Sequence, residues 1–285
     1  MRIISTIALI LLIQIKVSGQ VIAGKVTDSK TNEPLEYVSI GIINTNFGTI
    51  TDSNGYFMFE AKVEELSIVR ISMIGYKAQT FSIKELFGKE NVIKLIPSVI
   101  QLEEVTVKSG TETKIIGVTK RTVKGGVCGW GGDRRGKGYE LGSKFYLGAS
   151  FVRLQSLHIR VHTLSYDSIL LRLHIRNIKD GLPHEELINE NIYFTIEKSS
   201  GWVEIDLKEY DIVLKDEIAL TIEWIKVSGL NKKNLVRVNK SKQKTANVLF
   251  SVKRNSGCIY VKKGVEGKWW KGDTQSPSMY LTIRE

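Results

Sequence analysis

GKVTDSKTNEPLEYVSIGIINTNFGTITDSNGYFMFEA, residues 24–61, is the stretch that decides the fold of the first half of the chain. Short apolar runs alternate here with polar turns at residues 28–34 and 52–55, and the run at 37–43 is rich in β-branched residues. Gly55 supplies the positive φ that a tight turn needs. Runs that recur at intervals of about ten residues are typical of an antiparallel β-sandwich rather than of a parallel sheet.

The same pattern continues on both sides of this stretch. It predicts seven strands and a single helical turn at residues 84–87, with the strands at residues 20–27, 37–43, 48–51, 56–60, 66–74, 77–83 and 92–96. Within residues 56–59, Phe57 and Phe59 alternate with Tyr56 and Met58, so one pair is expected to point into the core.

The quoted stretch resembles the carboxypeptidase-regulatory-like domain, whose pattern is G-x-V-x-D, then x-P-L-x-x-V, then G-T-x-T-D-x-x-G-x-F. The residues that fit are Gly24, Val26, Asp28, Pro34, Leu35, Val38, Gly48, Thr49, Thr51, Asp52, Gly55 and Phe57, and residues 74–76 fit the later x-G-Y step. The resemblance implies a seven-stranded, transthyretin-like β-sandwich over residues 20–100. It also implies a domain that accompanies peptidases and other exported proteins without being their catalytic part.

Two kinds of chemistry are not expected from this sequence. A metallocarboxypeptidase holds zinc with a His-x-x-Glu pair and a distant His, and none of the four His has a Glu three residues later. Residues 131–138 nearly match a phosphate-binding loop, but Gly138 stands where Ser or Thr would bind magnesium, and no helical pattern follows. We therefore expect no catalytic residue, no bound metal and no cofactor.

The length and composition predict a second domain. The chain has 285 residues, of which 42% are hydrophobic and 25% charged, and this is an ordinary globular composition. After a linker at residues 101–137, residues 138–285 show at least eight further strand patterns, enough for a jelly-roll-like sandwich, and a helical turn is predicted at 182–187. This part loosely resembles the region that often follows the regulatory-like domain in exported proteins of Gram-negative bacteria. The predicted fold is all-β, with two β-sandwich domains.

Residues 1–19 are predicted to be a cleaved secretory signal. Arg2 precedes an apolar run at residues 3–13, and the small residues Ser18 and Gly19 follow. That run is about half of the ~20 residues of a spanning helix, although a retained anchor is the alternative. We expect an exported protein of the periplasm, outer membrane or cell surface. The mature chain is expected to have no transmembrane segment, and peripheral contact with a membrane is compatible with this expectation.

The formal net charge of +11 is concentrated in the second half of the chain. No acid occurs between Glu223 and Glu266, whereas basic residues recur, and Lys240, Lys242 and Lys244 belong to their densest part. This asymmetry favours contact with an anionic polymer, such as anionic lipid, lipopolysaccharide phosphate or acidic polysaccharide. The expected location argues against nucleic acid, and a solvated lysine-rich loop is the alternative.

Two predicted strands of the second half, at residues 152–164 and 169–178, alternate cleanly between apolar and polar residues. If residues 165–168 form a turn between them, they pair as a hairpin with His158 facing Arg176, Arg160 facing His174, and His162 facing Arg172. Like charges directly opposite each other cost roughly 0.2–1 kcal/mol per pair, so acids on adjacent strands, Glu204, Asp206 or Glu223, are expected to offset them. The polar face of these strands then neutralises its own charges, binds an anion or forms a histidine-based metal site. A metal site of this kind would lack a Cys or an acid at ligand spacing.

The tryptophans and cysteines provide the remaining candidates. Trp130, Trp269 and Trp270 lie in glycine-rich, polar stretches, where an exposed indole is able to stack on a sugar ring or a protein partner. Of the adjacent pair, one is expected to point inward and one outward, whereas Trp202 and Trp224 are expected in the core. Cys128 and Cys258 share an exported domain, and a disulfide between them is one of two open outcomes.

These observations predict a non-catalytic cell-envelope protein that binds a partner protein or a glycan. One alternative is an adapter for an outer-membrane TonB-dependent transporter, because residues 101–108 are similar to the linker that precedes such transporters. The other is a hydrolase that uses carboxylates such as Glu204, Asp206 or Asp211.

Overall fold

The computed structural model describes residues 20–61, 67–98, 112–120, 126–131, 136–237 and 244–285. The predicted signal at residues 1–19, the transporter-like segment at 101–108 and parts of the predicted linker lie outside these ranges. Within them, no helix is long and apolar enough to cross a bilayer.

The first sandwich has the seven strands that the sequence predicts. A three-stranded sheet has the order β4-β1-β7 and a four-stranded sheet the order β3-β2-β5-β6. The elements are β1 (Gln20–Asp28), β2 (Ser39–Ile42), β3 (Gly48–Ile50), β4 (Tyr56–Ala61), β5 (Ile68–Ser72), β6 (Gln79–Ser82), the helical turn α1 (Ile83–Leu86) and β7 (Glu90–Leu95).

Alternation along each strand builds the core of this sandwich. Phe57 and Phe59 of β4 are buried, while Tyr56 and Met58 face outward, as the pattern predicts for one pair. Gly55 and Gly75 adopt φ of +75° and +84°, values that favour glycine because it has no Cβ. The Asp28 carboxylate accepts the Tyr76 hydroxyl at 2.9 Å and fixes the end of β1 to the turn after β5.

The second sandwich consists of a seven-stranded and an eight-stranded sheet. The seven-stranded sheet has the order β13-β12-β17-β10-β19-β20, and β14 also pairs with β12. The eight-stranded sheet has the order β21-β18-β11-β22-β8, with β15 and β16 on β11 and β9 on β18. The strands are β8 (Thr113–Gly117), β9 (Val127–Gly131), β10 (Glu140–Tyr146), β11 (Val152–Leu164), β12 (Ser168–Lys179), β13 (Leu182–Glu186), β14 (Ile192–Ile196), β15 (Gly201–Asp206), β16 (Val213–Leu214), β17 (Glu217–Ser228), β18 (Asn247–Arg254), β19 (Ile259–Lys262), β20 (Trp269–Gly272), β21 (Gln275–Pro277) and β22 (Met279–Arg284).

The predicted hairpin between β11 and β12 is wrong. The two strands belong to different sheets, and their apolar sides face each other across the core, Leu157 and Ile159 from one and Leu171 and Leu173 from the other. Each strand instead pairs with strands that carry acids. A hairpin would have placed cations opposite cations, whereas the observed pairing places His158 opposite Glu204 and Arg172 opposite Glu223.

The predicted helical turn at residues 182–187 is also wrong, because this segment contains strand β13. Asp180 and Gly181 adopt positive φ, of 52° and 75°, as the two central residues of a tight hairpin turn do. Pro183 is tolerated because β13 is at the edge of its sheet.

The loop between β19 and β20 joins the two sandwiches. Glu266 accepts hydrogen bonds from Arg70 at 3.1 Å and from Ser72 at 3.4 Å, and its backbone carbonyl accepts Asn44 N–H at 2.9 Å. Gly41 contacts Val265 so closely that a Cβ on this glycine would overlap the valine side chain. The four-stranded sheet therefore packs directly on the second sandwich.

Candidate functional site

A network of buried charges lies on the outer face of the seven-stranded sheet. Strand β12 places Arg172, His174 and Arg176 there, because these residues alternate with core residues. Arg172 lies opposite Glu223 of β17, and Glu223 lies opposite Glu140 of β10. The sheet thus brings two carboxylates and two guanidinium groups together with an imidazole.

Each carboxylate of the network is bound by several donors. Glu223 accepts Arg172 Nε at 2.8 Å on Oε2, and His174 Nε2 lies 2.9 Å from the same oxygen. Glu140 accepts Arg176 Nη1 at 2.6 Å and also contacts the Lys262 ammonium. A third acid completes the set, because Glu186 lies 2.6 Å from Arg176 and 2.7 Å from His174.

The network stays ionised although it is almost completely buried. Glu140 and Glu223 are each 1% exposed and Arg172 is 2% exposed. Burial raises the pKa of Glu223, but the charge of Arg172 and the hydrogen bond from His174 outweigh it and lower that pKa to about 2. The pKa of Glu140 is likewise held well below its usual range, because Arg176, His174 and Lys262 outweigh its burial.

Glu140, His174 and Glu223 have the residue types of a metal site, since one ligand atom from each lies within 4.8 Å of the other two. Their carboxylates are already paired with cationic side chains. Arg172, Arg176 and Lys262 already neutralise the two carboxylates, and a divalent cation would add charge beside them. The arrangement is therefore that of an ion-pair network, which is the self-neutralised alternative.

A second group of polar and aromatic side chains lies on the outer face of the eight-stranded sheet. We call His158, Arg160, Trp202, Glu204 and Tyr280 the binding platform. The His158 ring stacks on Tyr280 with 4.2 Å between centroids and 8° between planes, and Trp202 meets Tyr280 edge-on at 5.1 Å. The Arg160 guanidinium lies 5.9 Å from the Trp202 ring centroid. His158, Arg160, Trp202 and Tyr280 are partly exposed, and Glu204 is exposed.

Arg160 differs from the cations of the buried charge network. Across the described residues, its guanidinium has no ion-pair partner, and its buried Nε atom lacks a hydrogen-bond acceptor. Glu204, the acid on the platform, approaches His158 at 3.8 Å and is 64% exposed. The platform therefore presents a cationic donor and an accessible carboxylate beside aromatic rings.

Comparison with known proteins identifies the first sandwich. Residues 22–107 match the family model of the CarboxypepD_reg-like domain. This sandwich is a carboxypeptidase-regulatory-like domain. No curated protein matches the chain at a significant level.

Two solved structures are distantly similar to this chain. The cysteine protease and lectin-like domains of Cwp84, a surface-layer-associated protein of Clostridium difficile, align with 93% of this chain at 11% identity and a TM-score of 0.38. This chain spans 58% of the length of that structure. A T13 particle of infectious bursal disease virus aligns at 10% identity and a TM-score of 0.24, over 93% of this chain and 61% of the viral one. Similarities at this level carry no argument about function.

The carboxypeptidase-regulatory-like domain is bound to the second sandwich through the charge network itself. Arg172 donates from Nη1 to the Tyr37 carbonyl at 3.0 Å and from Nη2 to Ser39 Oγ at 2.9 Å. Tyr37 holds φ at +62°, an unusual value for a bulky residue, and its ring meets Tyr193 edge-on at 5.3 Å. One arginine therefore links a carboxylate of one sandwich to the backbone of the other.

The structure separates the tryptophan candidates. Trp130 is not a surface residue: it is 5% exposed and packs edge-on against Trp224 and Phe250, because strand β9 pairs with β18. Trp269 is half-buried over Arg176, whereas Trp270 is 58% exposed, as expected for adjacent residues on a strand. Trp202 was expected in the core but belongs to the platform.

The remaining basic candidates are spread over the surface. His162 is exposed near the end of β11, and Lys244 is exposed before β18. Lys240 and Lys242 lie outside the described residues, so the proposed lysine surface stays a prediction.

The disulfide is not formed, since Cys128 and Cys258 are both free thiols. They lie on different sides of the seven-stranded sheet. Cys128 packs against the core between the two sheets, whereas Cys258 packs with Ala219 and Tyr260 on the outer face.

The sequence interpretation missed several functional positions. Glu140, Glu186 and Lys262 complete the charge network, but only the strand register brings them to β12. The outward position of Tyr280 was predictable from the sequence, because in β22 it alternates with the buried Met279 and Leu281.

The buried network makes a specific prediction for Glu223→Gln. This change leaves Arg172 buried without a full counter-charge, and breaking a buried pair from one side costs about 3–5 kcal/mol. We expect the free energy of unfolding, measured by urea denaturation, to fall by about that amount. The control is Glu217→Gln, at a residue of the same strand as Glu223 that forms an exposed pair with Lys144. This control is expected to change the free energy of unfolding by less than about 1 kcal/mol. An equally small loss for Glu223→Gln would contradict the assigned role.

The network also predicts a dependence of stability on pH. Burial and Arg176 lower the pKa of His174, but the carboxylates of Glu140 and Glu186 outweigh them and raise it above its ordinary value. Protonated His174 therefore stabilises the fold fully below about pH 6.5, the pKa in the unfolded chain, and this contribution is lost as pH rises through the folded-state pKa. Urea denaturation of the protein and of His174→Gln is expected to show a stability difference that shrinks with rising pH. A difference that grows with pH would refute this assignment.

Proposed function

We propose that this chain is a non-catalytic, exported protein of the cell envelope that binds a glycan with acidic groups through the binding platform. The observation that carries the proposal is Arg160, a cation without an ion-pair partner among the described residues, beside a set of partly exposed aromatic rings.

The chemistry of the platform suits a sugar. Trp202 and Tyr280 offer amphipathic rings suited to the apolar face of a pyranose, and no described residue hydrogen-bonds to the Trp202 indole N–H or the Tyr280 hydroxyl. Arg160 is suited to bind a carboxylate or phosphate, because a guanidinium offers a planar, bidentate set of donors. Exposed Glu204 is able to accept sugar hydroxyls.

The surroundings of two carboxylates considered for hydrolysis, Asp206 and Asp211, do not favour a catalytic acid. Asp206 is 64% exposed and bonded to Lys208, and Asp211 is 65% exposed and paired with Arg153. A catalytic acid needs a raised pKa, whereas hydrogen bonding by the Lys208 backbone lowers the pKa of Asp206.

The cellular setting of the proposal comes from the sequence. Export rests on the apolar segment at residues 1–19, and the choice of an acidic glycan over a neutral one rests on Arg160 and on the basic second half of the chain. Both the envelope location and the identity of the glycan are parts of the proposal that experiment has to decide.

Binding of acidic and neutral polysaccharides, measured by affinity electrophoresis, tests the platform. We expect acidic polysaccharide to bind the protein, and Trp202→Ala to weaken this by about tenfold through lost ring contact. Arg160→Gln is expected to remove the preference for acidic over neutral chains and the sensitivity to salt. Trp270→Ala is the matched control, because it removes an exposed indole from the other sheet. Loss of binding in Trp270→Ala with unchanged binding in Trp202→Ala would overturn the platform assignment.

A further inference from the structure

His158 lies in the middle of the binding platform. It lies opposite Glu204 on β15 and opposite Tyr280 on β22, and Arg160 follows it two residues later on β11. Residues two apart on a strand point to the same face and are about 7 Å from each other. A charge on the imidazole would therefore act on any acidic group that Arg160 binds, because this distance is shorter than the screening length of about 8 Å in physiological salt.

The two ring nitrogens of His158 have different surroundings. Nε2 lies 2.9 Å from the hydroxyl oxygen of Ser156 and 3.5 Å from that of Thr282. Nδ1 makes no hydrogen bond to any residue that the structure describes. A protonated imidazole is a donor at both nitrogens. Nε2 of such a ring donates to Ser156, and Nδ1 is left as a donor for a ligand.

The surroundings of His158 keep its ring neutral at neutral pH. Burial lowers the pKa of His158, and the Glu204 carboxylate of β15, 3.8 Å from Nε2, offsets this only in part. Asp206, the next acid on this face of β15, is paired with Lys208. The Tyr280 hydroxyl of β22 carries no charge, because burial and Glu204 raise its pKa. The ring therefore gains its proton as the pH falls below about 6.5, the ordinary pKa of histidine.

We propose that His158 is a second donor for acidic groups on the binding platform, and that its protonation strengthens the binding of an acidic glycan as the pH falls. This role rests on the proposed function, since it concerns the same site. At neutral pH, Arg160 attracts an acidic sugar while the exposed carboxylate of Glu204 repels it. Protonation adds a cation beside Arg160 and a counter-charge beside Glu204, so both changes favour an acidic ligand.

Ligand binding and protonation of His158 strengthen each other by the same factor. A bound acidic group stabilises the imidazolium, so the complex has a higher His158 pKa than the free protein. The gain in affinity is therefore complete below the pKa of the free protein, and it is lost as the pH rises through the pKa of the complex. One added charge at close range is expected to contribute about tenfold in affinity.

Isothermal titration calorimetry of the whole protein with polygalacturonate, at about pH 8 and about pH 5, tests this dependence. The carboxylates of this polymer stay ionised over that range. We expect the affinity to rise about tenfold on acidification, and by less than about threefold in His158→Gln and His158→Phe. Gln keeps a polar group beside Ser156 and Phe keeps a ring on Tyr280, so a loss shared by both variants reports the missing charge.

The controls separate this charge from the general effect of acid. His184→Gln removes an exposed histidine of the other sheet and is expected to keep the full rise in affinity. Methyl-esterified polygalacturonate carries no charge and is expected to show no rise. Circular dichroism at both pH values checks that every variant is folded.

NMR titration of the imidazole in the unmodified protein measures the protonation of His158 directly. Polygalacturonate is expected to raise the pKa of His158 and the methyl ester to leave it unchanged, which a merely structural histidine would not show. An undiminished pH dependence in the two His158 variants, or a pKa that the polymer leaves unchanged, would overturn this role and leave the proposed function standing. No binding of polygalacturonate at either pH would instead overturn the proposed function.

Discussion

The pairing of buried carboxylates with guanidinium groups on the seven-stranded sheet is the interaction on which the rest of the structure depends. Glu140 and Glu223 lie opposite each other on neighbouring strands, and two buried like charges would destabilise the sheet if they were left alone. Arg172, Arg176 and Lys262 compensate them. Because Arg172 also bonds to Tyr37 and Ser39, the same charges hold the carboxypeptidase-regulatory-like domain in place.

The two outer faces of the second sandwich have similar sequence patterns but different environments. Both carry alternating His and Arg side chains, but on one face these side chains are paired with acids and buried beneath Tyr37 and Trp269. On the other face, Glu204 is the neighbour of His158, and Arg160 keeps a guanidinium free of carboxylates among the described residues. The buried charge network thus holds the two sandwiches together, whereas the binding platform is partly exposed among the described residues, and we propose it as the ligand face.

The sequence predicted the features that neighbouring residues determine, but it did not predict which strands pair with each other. Turn residues and alternation located the seven strands of the first sandwich, and alternation placed Arg172 and His158 on outer faces. It did not show that β11 and β12 belong to different sheets, because either pairing buries the same apolar residues. Trp202 shares its strand face with Glu204 and Asp206, so the alternation predicts that it lies outside the core. It was expected in the core only because tryptophan is usually a core residue. Trp130 was misplaced because its glycine-rich surroundings resemble a loop, yet they pair with β18.

The central claim is that the Arg172 network makes one cooperative unit of two β-sandwiches. Differential scanning calorimetry near neutral pH tests this most directly, since two independent domains unfold separately and one unit unfolds once. We predict a single transition whose calorimetric and van't Hoff enthalpies agree, and its separation into two in Arg172→Met. Two transitions in the unmodified protein, at temperatures that Arg172→Met leaves unchanged, would contradict the account.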